Sequence, residues 1–168
     1  GKGPTVKSGM LAAKGQWRLF TDFDQSTPLA EIEKLWLRAK QNHEVVIGSR
    51  EMVGSVRDEE PWYRHLMGRG FNALVQILAI PGILDTQCGF KCFKRHVVDN
   101  VFRKQKIKGF AFDVEILLIS RQQGCRIKEV PVRWRNSPYS KVHIIRDSLL
   151  MLYDLFKIRF YGLSRRYC

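Results

Sequence analysis

The sequence predicts an α/β fold built around a small sheet with parallel strands, and three observations carry that expectation. Trp17-Arg18-Leu19-Phe20 and Val45-Val46-Ile47-Gly48-Ser49 are short apolar strand patterns. A helical pattern lies between them, and strand, helix, strand with such short apolar strands reads as a parallel unit. At 168 residues, 45% of them apolar, the chain can bury one ordinary core.

Taken in order, Thr5 to Ala13 is compatible with a helix that stops at Lys14-Gly15. The first strand then runs into Thr21-Asp22-Phe23-Asp24. Pro28 stands where a first helical turn begins, Glu31 and Glu33 follow at the favourable dipole end, and the periodic run reaches Lys40. The second strand ends at Arg50, and residues 51–61 are polar and charged, which predicts a loop closed by Pro61. From Trp62 to Ile80, His65, Arg69, Asn72 and Gln76 form one polar stripe beside a wide apolar arc. That pattern fits a helix lying in a bilayer interface and an ordinary core helix equally well. After Pro81-Gly82, a loop from Asp85 leads into an extended segment at Phe90. Helices are predicted at His96 to Phe102 and Phe112 to Gln123, the latter stopped by Gly124, and Ile127 to Trp134 alternates like one strand. His143 to Tyr161 is again amphipathic, and two such helices (62–80 and 143–161) in a small basic domain raise the expectation of a membrane surface.

Lys and Arg number 29 against 16 Asp and Glu, a net charge of +13 that favours an anionic partner: nucleic acid, anionic lipid or a phosphorylated substrate. Cys88, Cys92, Cys125 and Cys168 lack the paired spacing of a zinc site, and reduced thiols are expected. No signal peptide is visible, and no run approaches the roughly 18 apolar residues that would span a bilayer. The chain is therefore expected to lie on a membrane without crossing it. It opens Gly1-Lys2-Gly3-Pro4 with no initiator methionine, and Met10 sits inside a helical pattern, so a fragment is expected.

Several constellations could carry chemistry. Asp22 and Asp24 stand two apart where a strand ends, so a pleat would point both carboxylates to one side, toward a hard cation carrying a diphosphate. Surface carboxylates at this spacing are common, but the carboxyl edge of an α/β sheet is where ligands bind. Asp85 lies a few residues before Lys91, Lys94 and Arg95. Asp113 and Glu115 begin a helix, where carboxylates also simply offset the dipole. Ser140 and Lys141, with Arg133 and Arg135 nearby, could hold a phosphate or be a solvated basic loop.

Six strings in series, namely Gly1-Lys2-Gly3, Phe20-Thr21-Asp22-Phe23-Asp24 with Ser26-Thr27-Pro28, Val46-Ile47-Gly48-Ser49-Arg50, Asp85-Thr86-Gln87-Cys88-Gly89-Phe90-Lys91, Phe110-Ala111-Phe112-Asp113-Val114-Glu115 and Glu129-Val130-Pro131-Val132-Arg133-Trp134, make the chain resemble a known enzyme family. It is the dolichyl-phosphate glucosyl- and mannosyltransferases with their bacterial polyprenyl-phosphate counterparts. The resemblance implies an incomplete GT-A (Rossmann-like) glycosyltransferase domain of the inverting family 2, with the nucleotide-binding part preceding Gly1. It implies transfer of one hexose, most readily glucose, from a nucleotide sugar to a polyprenyl phosphate at the cytoplasmic face of a membrane, with Mg²⁺ or Mn²⁺. Asp22 and Asp24 would hold the metal and diphosphate, while Arg50, Arg64, Lys91, Ser140 and Lys141 would hold the acceptor phosphate. Asp85 takes the place of the family's proposed base, with Asp113 second. The Q-x-x-R-W signature of processive polysaccharide synthases is missing, Val130 standing where its Gln would be, so single transfer is expected over polymerisation. Without the preceding part the chain is expected to be inactive or nearly so. The alternatives are a mannose or amino-sugar donor, a non-catalytic membrane-binding protein, and a nucleic-acid-binding module, for which no recognised motif is present.

Overall fold

The computed structural model describes residues 1–59, 61–136 and 144–167, with side chains throughout save Arg64, Ile144 and Ile145. Among the described residues six helices and six strands follow in the order α1 (Lys2–Ala12), β1 (Trp17–Thr21), α2 (Ile32–Lys40) after a 3-10 turn at Leu29–Glu31, β2 (Val45–Ser49), β3 (Val56–Asp58), α3 (Trp62–Leu78), β4 (Phe90–Lys94), α4 (Arg95–Lys104), α5 (Phe112–Gln122), β5 (Ile127–Pro131), β6 (Arg133–Arg135) and α6 (Ile144–Leu163).

The main sheet has the order β1-β4-β2-β5. β2 and β5 are parallel, whereas β4 is antiparallel to both its neighbours, β1 and β2. β1 and β2 therefore run the same way, as the strand-helix-strand pattern predicts, but they do not touch. β4, some forty residues downstream, is inserted between them, a pairing no local pattern announces. β2 is buried along its whole length, because helices cover both faces of the sheet. Successive side chains of a strand point to opposite faces, and the core divides accordingly. Val45 and Ile47 join Phe93, Val97, Val101, Phe102, Phe112, Ile116 and Ile119 on the α4/α5 side. Val46 joins Leu35 and Ala39 of α2, with Phe90, Cys92 and Val130, on the other.

The start and stop of α5 follow from its residues. α5 carries Asp113 and Glu115 in its first turn, and Gly124, at φ +76°, takes the left-handed conformation that stops it. Two loop and strand expectations need correction. Residues 51–61, read as loop, contain β3, which pairs in parallel with β6 far along the chain; three residues are too few to display a period. The single strand expected from Ile127 to Trp134 is two, parted at Val132, whose N–H turns to the Ser49 carbonyl at 3.2 Å. Pro131, with no N–H to give, ends β5.

α3 packs on α6, and both helices turn apolar arcs outward. Trp62 (78% exposed), Tyr63, Leu66, Met67, Leu74 and Ile77 (76%) line one side of α3, while Val75 and Asn72 face inward. On α6 the exposed side is Leu149, Tyr153, Phe156, Phe160 and Leu163, with Leu155 and Ile158 buried. Among the described residues no helix is long and apolar enough to cross a membrane.

Candidate active site

Because β4 is antiparallel to β1 and β2, its first residues lie beside the last residues of those strands, and the register Thr21↔Phe90 brings the 85–89 turn alongside Asp22. The carboxyl edge of the sheet thus collects Asp22, Arg50 and Asp85 from three separate stretches of chain, where ligands of open α/β sheets bind.

β1 stops at Thr21, so Asp22 and Asp24 sit in a turn and not, as expected, on a pleat. Gln25 N–H donates to the Asp22 carbonyl at 3.0 Å, and Asp24 Oδ1 accepts the Ser26 N–H at 3.1 Å. Asp24 is exposed. The Asp22 carboxylate lies on the bare α-carbon of Gly89, where a Cβ would come within 2.1 Å of Oδ2. Its Oδ1 takes an ion pair from the Lys2 ammonium at 2.6 Å. Among the described residues no three His, Cys, Asp or Glu gather as a protein-only metal site would require; a cation here would have to draw its remaining ligands from a diphosphate and water.

Asp85 is fully buried and saturated. It accepts Arg50 Nε at 2.7 Å, Nη2 at 2.9 Å and the Arg50 backbone N–H at 2.9 Å, and then the N–H groups of Gln87 and Cys88. Burial alone would push its carboxyl up, but the Arg50 guanidinium and then Lys91 outweigh it and hold the group well below the usual carboxylate range. Glu129 of β5 accepts the N–H groups of Leu84 and Asp85 and so fixes the turn that carries Asp85. Arg50 lies 5.4 Å over the Trp134 ring.

Lys91 is buried on β4 and gives its ammonium to Asp113 Oδ1 at 2.6 Å and to the Cys88 carbonyl. Asp113, buried at the start of α5, is raised by burial, with Lys91 and Lys2 acting against it. Lys2 is 3.9 Å from its other oxygen. Cys88 is a free, buried thiol, pushed by burial and by the Asp85 charge up to about 11, and burial takes Cys92 up to about 12. Both are packing groups at neutral pH.

The structure therefore joins Asp85 with Arg50, and Lys91 with Asp113, and links Asp113 to Asp22 through Lys2. Arg64 belongs to the first turn of α3 and its side chain is not among those described; Ser140 and Lys141 lie outside the described residues. Lys2, Gly89, Glu129 and Trp134 all lie in the strings that carry the resemblance, yet residue type gives no role for any of them. Only the pairing of β4 with β1, which sets Gly89 against Asp22, makes the glycine's function visible.

A family model described as Glycosyl transferase family 2 matches residues 1–102. Curated relatives include the dolichyl-phosphate beta-glucosyltransferases of Dictyostelium discoideum, 34% identical over 95% of this chain and 51% of that one, of Saccharomyces cerevisiae, 34% over 95% and 52%, and of Homo sapiens, 33% over 95% and 51%. The chain spans about half the length of the curated relatives it matches. Among solved structures, glucosyl-3-phosphoglycerate synthase from Mycobacterium tuberculosis in complex with uridine diphosphate aligns with a TM-score of 0.69 at 14% identity, covering 95% of this chain and 55% of that one. The same enzyme with Mn²⁺, UDP-glucose and phosphoglyceric acid gives 0.64 at 15%, over 95% and 55%. At that identity the likeness is one of fold, the GT-A arrangement of these transferases.

Proposed function

The chain belongs to glycosyl transferase family 2, and from that premise we propose that it serves the transfer of a single glucose from a nucleotide sugar, UDP-glucose, to a polyprenyl phosphate such as dolichyl phosphate. The observation that carries the reading is the convergence of Asp22, the Arg50–Asp85 pair and the Lys91–Asp113 pair on one sheet edge. It is supported by relatives whose names state that activity.

In the transfer, a phosphate oxygen of the acceptor attacks the anomeric carbon. The bond from that carbon to the nucleoside diphosphate breaks, its electron pair leaves with the diphosphate, and the configuration inverts. A phosphate monoester has a second pKa of about 6, so the acceptor is largely dianionic at neutral pH and little proton removal is needed. Alignment and charge screening are the larger tasks. Arg50, 5.4 Å over the Trp134 ring at the edge of the site, would receive the acceptor phosphate. Asp85, with every face of its carboxylate taken, acts by holding that guanidinium in plane and not by accepting a proton. Of the two carboxylates proposed as base, the one suited to a residual acid proton is thus Asp113, because burial raises it. Lys91, spent on Asp113 and inaccessible, is its counter-ion and not a ligand of the acceptor.

The carboxylate of Asp22, seated in the cradle that Gly89 leaves and already bound to a cationic partner, fits a divalent metal ion, Mg²⁺ or Mn²⁺, which Asp24, two residues on in the exposed turn, would help to hold. Such an ion, when bound, screens the charge that builds on the leaving diphosphate. The outward apolar arcs of α3 and α6, flanked by Arg69, Arg146, Lys157 and Arg159, suit the headgroup region of a cytoplasmic membrane face, where the prenyl chain of the acceptor is anchored.

The test is glucose transfer from radiolabelled UDP-glucose to a polyprenyl phosphate by the natural full-length protein, with Mg²⁺ or Mn²⁺, beside an Asp22→Asn, Asp24→Asn control. Metal-dependent glucolipid that disappears in the control is expected. Product with GDP-mannose alone would overturn the sugar, and silence with every donor would overturn the activity.

A further inference from the structure

Lys2 stands in a place that helix energetics disfavour. It opens the first turn of α1, which holds no acidic residue and whose cap makes no side-chain bond, so its ammonium sits at the positive end of the helix dipole. Its backbone is nonetheless fixed there. A Cβ on Gly1 would come within 2.7 Å of the Lys108 carbonyl oxygen, and one on Gly3 within 2.7 Å of that of Ile107. Gly3 N–H also donates to the Lys108 carbonyl at 3.3 Å. Only glycines let the helix start lie so close to that segment, and the approach aims Lys2 across the Phe112 ring, 5.8 Å from its centroid, at two carboxylates. The ammonium is 2.6 Å from Asp22 and 3.9 Å from Asp113. Asp113 has a second, fully buried cation in Lys91. For Asp22, Lys2 is the cation set directly against the carboxylate.

We propose that the Lys2 ammonium is a resident counter-ion that takes the place on Asp22 which a divalent cation would take, so that cation and lysine exchange on that carboxylate. The inference rests on the reading of Asp22 as the metal-holding residue. A divalent ion on Asp22 and an ammonium 2.6 Å from it repel one another. Loading therefore expels Lys2 from Asp22, leaving it near Asp113 and free to meet an incoming anion. Unloading returns it, so the carboxylate is never bare and Asp22 and Asp113 are not left to repel each other. The consequence is a site that resists filling by metal alone.

The experiment is a titration of the natural full-length protein with Mn²⁺, without nucleotide, read by loss of the free-ion electron paramagnetic resonance signal. Lys2→Met and Lys2→Gln are both expected to bind Mn²⁺ more tightly than the parent, by roughly five- to tenfold, the scale of a partly exposed ion pair given up. Lys2→Arg, which keeps the cation, should stay near the parent, and Asp22→Asn should bind weakly. If the neutral variants bind equally or less tightly while Asp22→Asn still weakens binding, the exchange is refuted and the metal-site reading survives. If Asp22→Asn leaves Mn²⁺ binding unchanged, both are refuted together. Circular dichroism melts of each variant identify any that fails to fold, and the second neutral variant then decides.

Discussion

Replacing Asp85 by Asn separates the two tasks that a buried carboxylate in this site could perform. The substitution is nearly isosteric, but an amide offers one acceptor oxygen where five donors now converge, and its own N–H₂ must face some of them. Breaking a buried ion pair by removing one partner costs about 3–5 kcal/mol. The lower end applies, since Arg50 keeps 20% of its surface in water. At about 2–4 °C per kcal/mol for a chain of this size, the melting midpoint should fall by roughly 6–12 °C. The folded pKa of Asp85 is depressed, so its stabilisation is present above the unfolded value of about 3.9 and is lost as pH falls below it toward the folded value. Thermal or urea unfolding between neutral pH and pH 3 should therefore show a destabilised variant whose acid limb is flatter than the parent's. Activity should suffer mainly through a raised acceptor KM, with no loss of a limb in the pH profile and a smaller fall than Asp22→Asn under saturating metal. An Asp85→Asn protein as stable as the parent to within about 0.5 kcal/mol, with kcat abolished and KM unmoved, would refute the positioning role and restore Asp85 as the base.

Gly89→Ala should leave stability within about 1 kcal/mol, because the residue is not in the left-handed region and the group it meets is a half-exposed side chain able to rotate away; Mn²⁺ affinity should fall about tenfold or more as Asp22 is displaced, and unchanged binding would refute the cradle. Tyr167→Phe removes the 2.8 Å hydrogen bond to the buried Glu115 carboxylate and should lower stability by about 1–2 kcal/mol, read as a drop of a few degrees in the melting midpoint. Trp62→Ser with Leu66→Ser should reduce co-sedimentation with anionic vesicles several-fold while leaving the unfolding midpoint in place, since both side chains are exposed; a shifted midpoint with unchanged vesicle binding would mean that they pack and do not dock.

The α/β class and all six helices found among the described residues are legible in the sequence because local periodicity and stop signals set them: Gly124 closes α5, and Val45 to Ser49 is a short, β-branched apolar run of strand length. The order of strands is not legible. That β4 enters between β1 and β2 depends on Phe90 and Phe93 finding both cores, a tertiary fact. The same distance hides the site's wiring. Asp85 and Arg50 are each conspicuous, yet their ion pair, 35 residues apart in the chain, and the filling of the Asp85 carboxylate by five donors are tertiary facts that no local pattern announces. Lys91 reads as one of a basic cluster and, by the resemblance, as a holder of the acceptor phosphate; its burial against Asp113 is not legible from the sequence. The pleat argument for Asp22 and Asp24 fails for a local reason, since the chain turns one residue earlier than the pattern suggests.

The segment from Gln105 to Lys108 is not part of any helix or strand, and main-chain amides in such a connection ordinarily exchange with solvent deuterium within seconds. Here the Lys106 and Ile107 amides point into the buried Glu115 carboxylate, which Tyr167 also holds, while Gln105 and Lys108 receive Lys7 and Gly3 of the first helix. Opening either amide strips a donor from Glu115 of α5, the carboxylate that also anchors Tyr167 just beyond α6. Their exchange rates should thus track those of α5 and not those of a loop, so that two backbone protons report, minute by minute, whether the first and last helices of this chain let go together or one at a time.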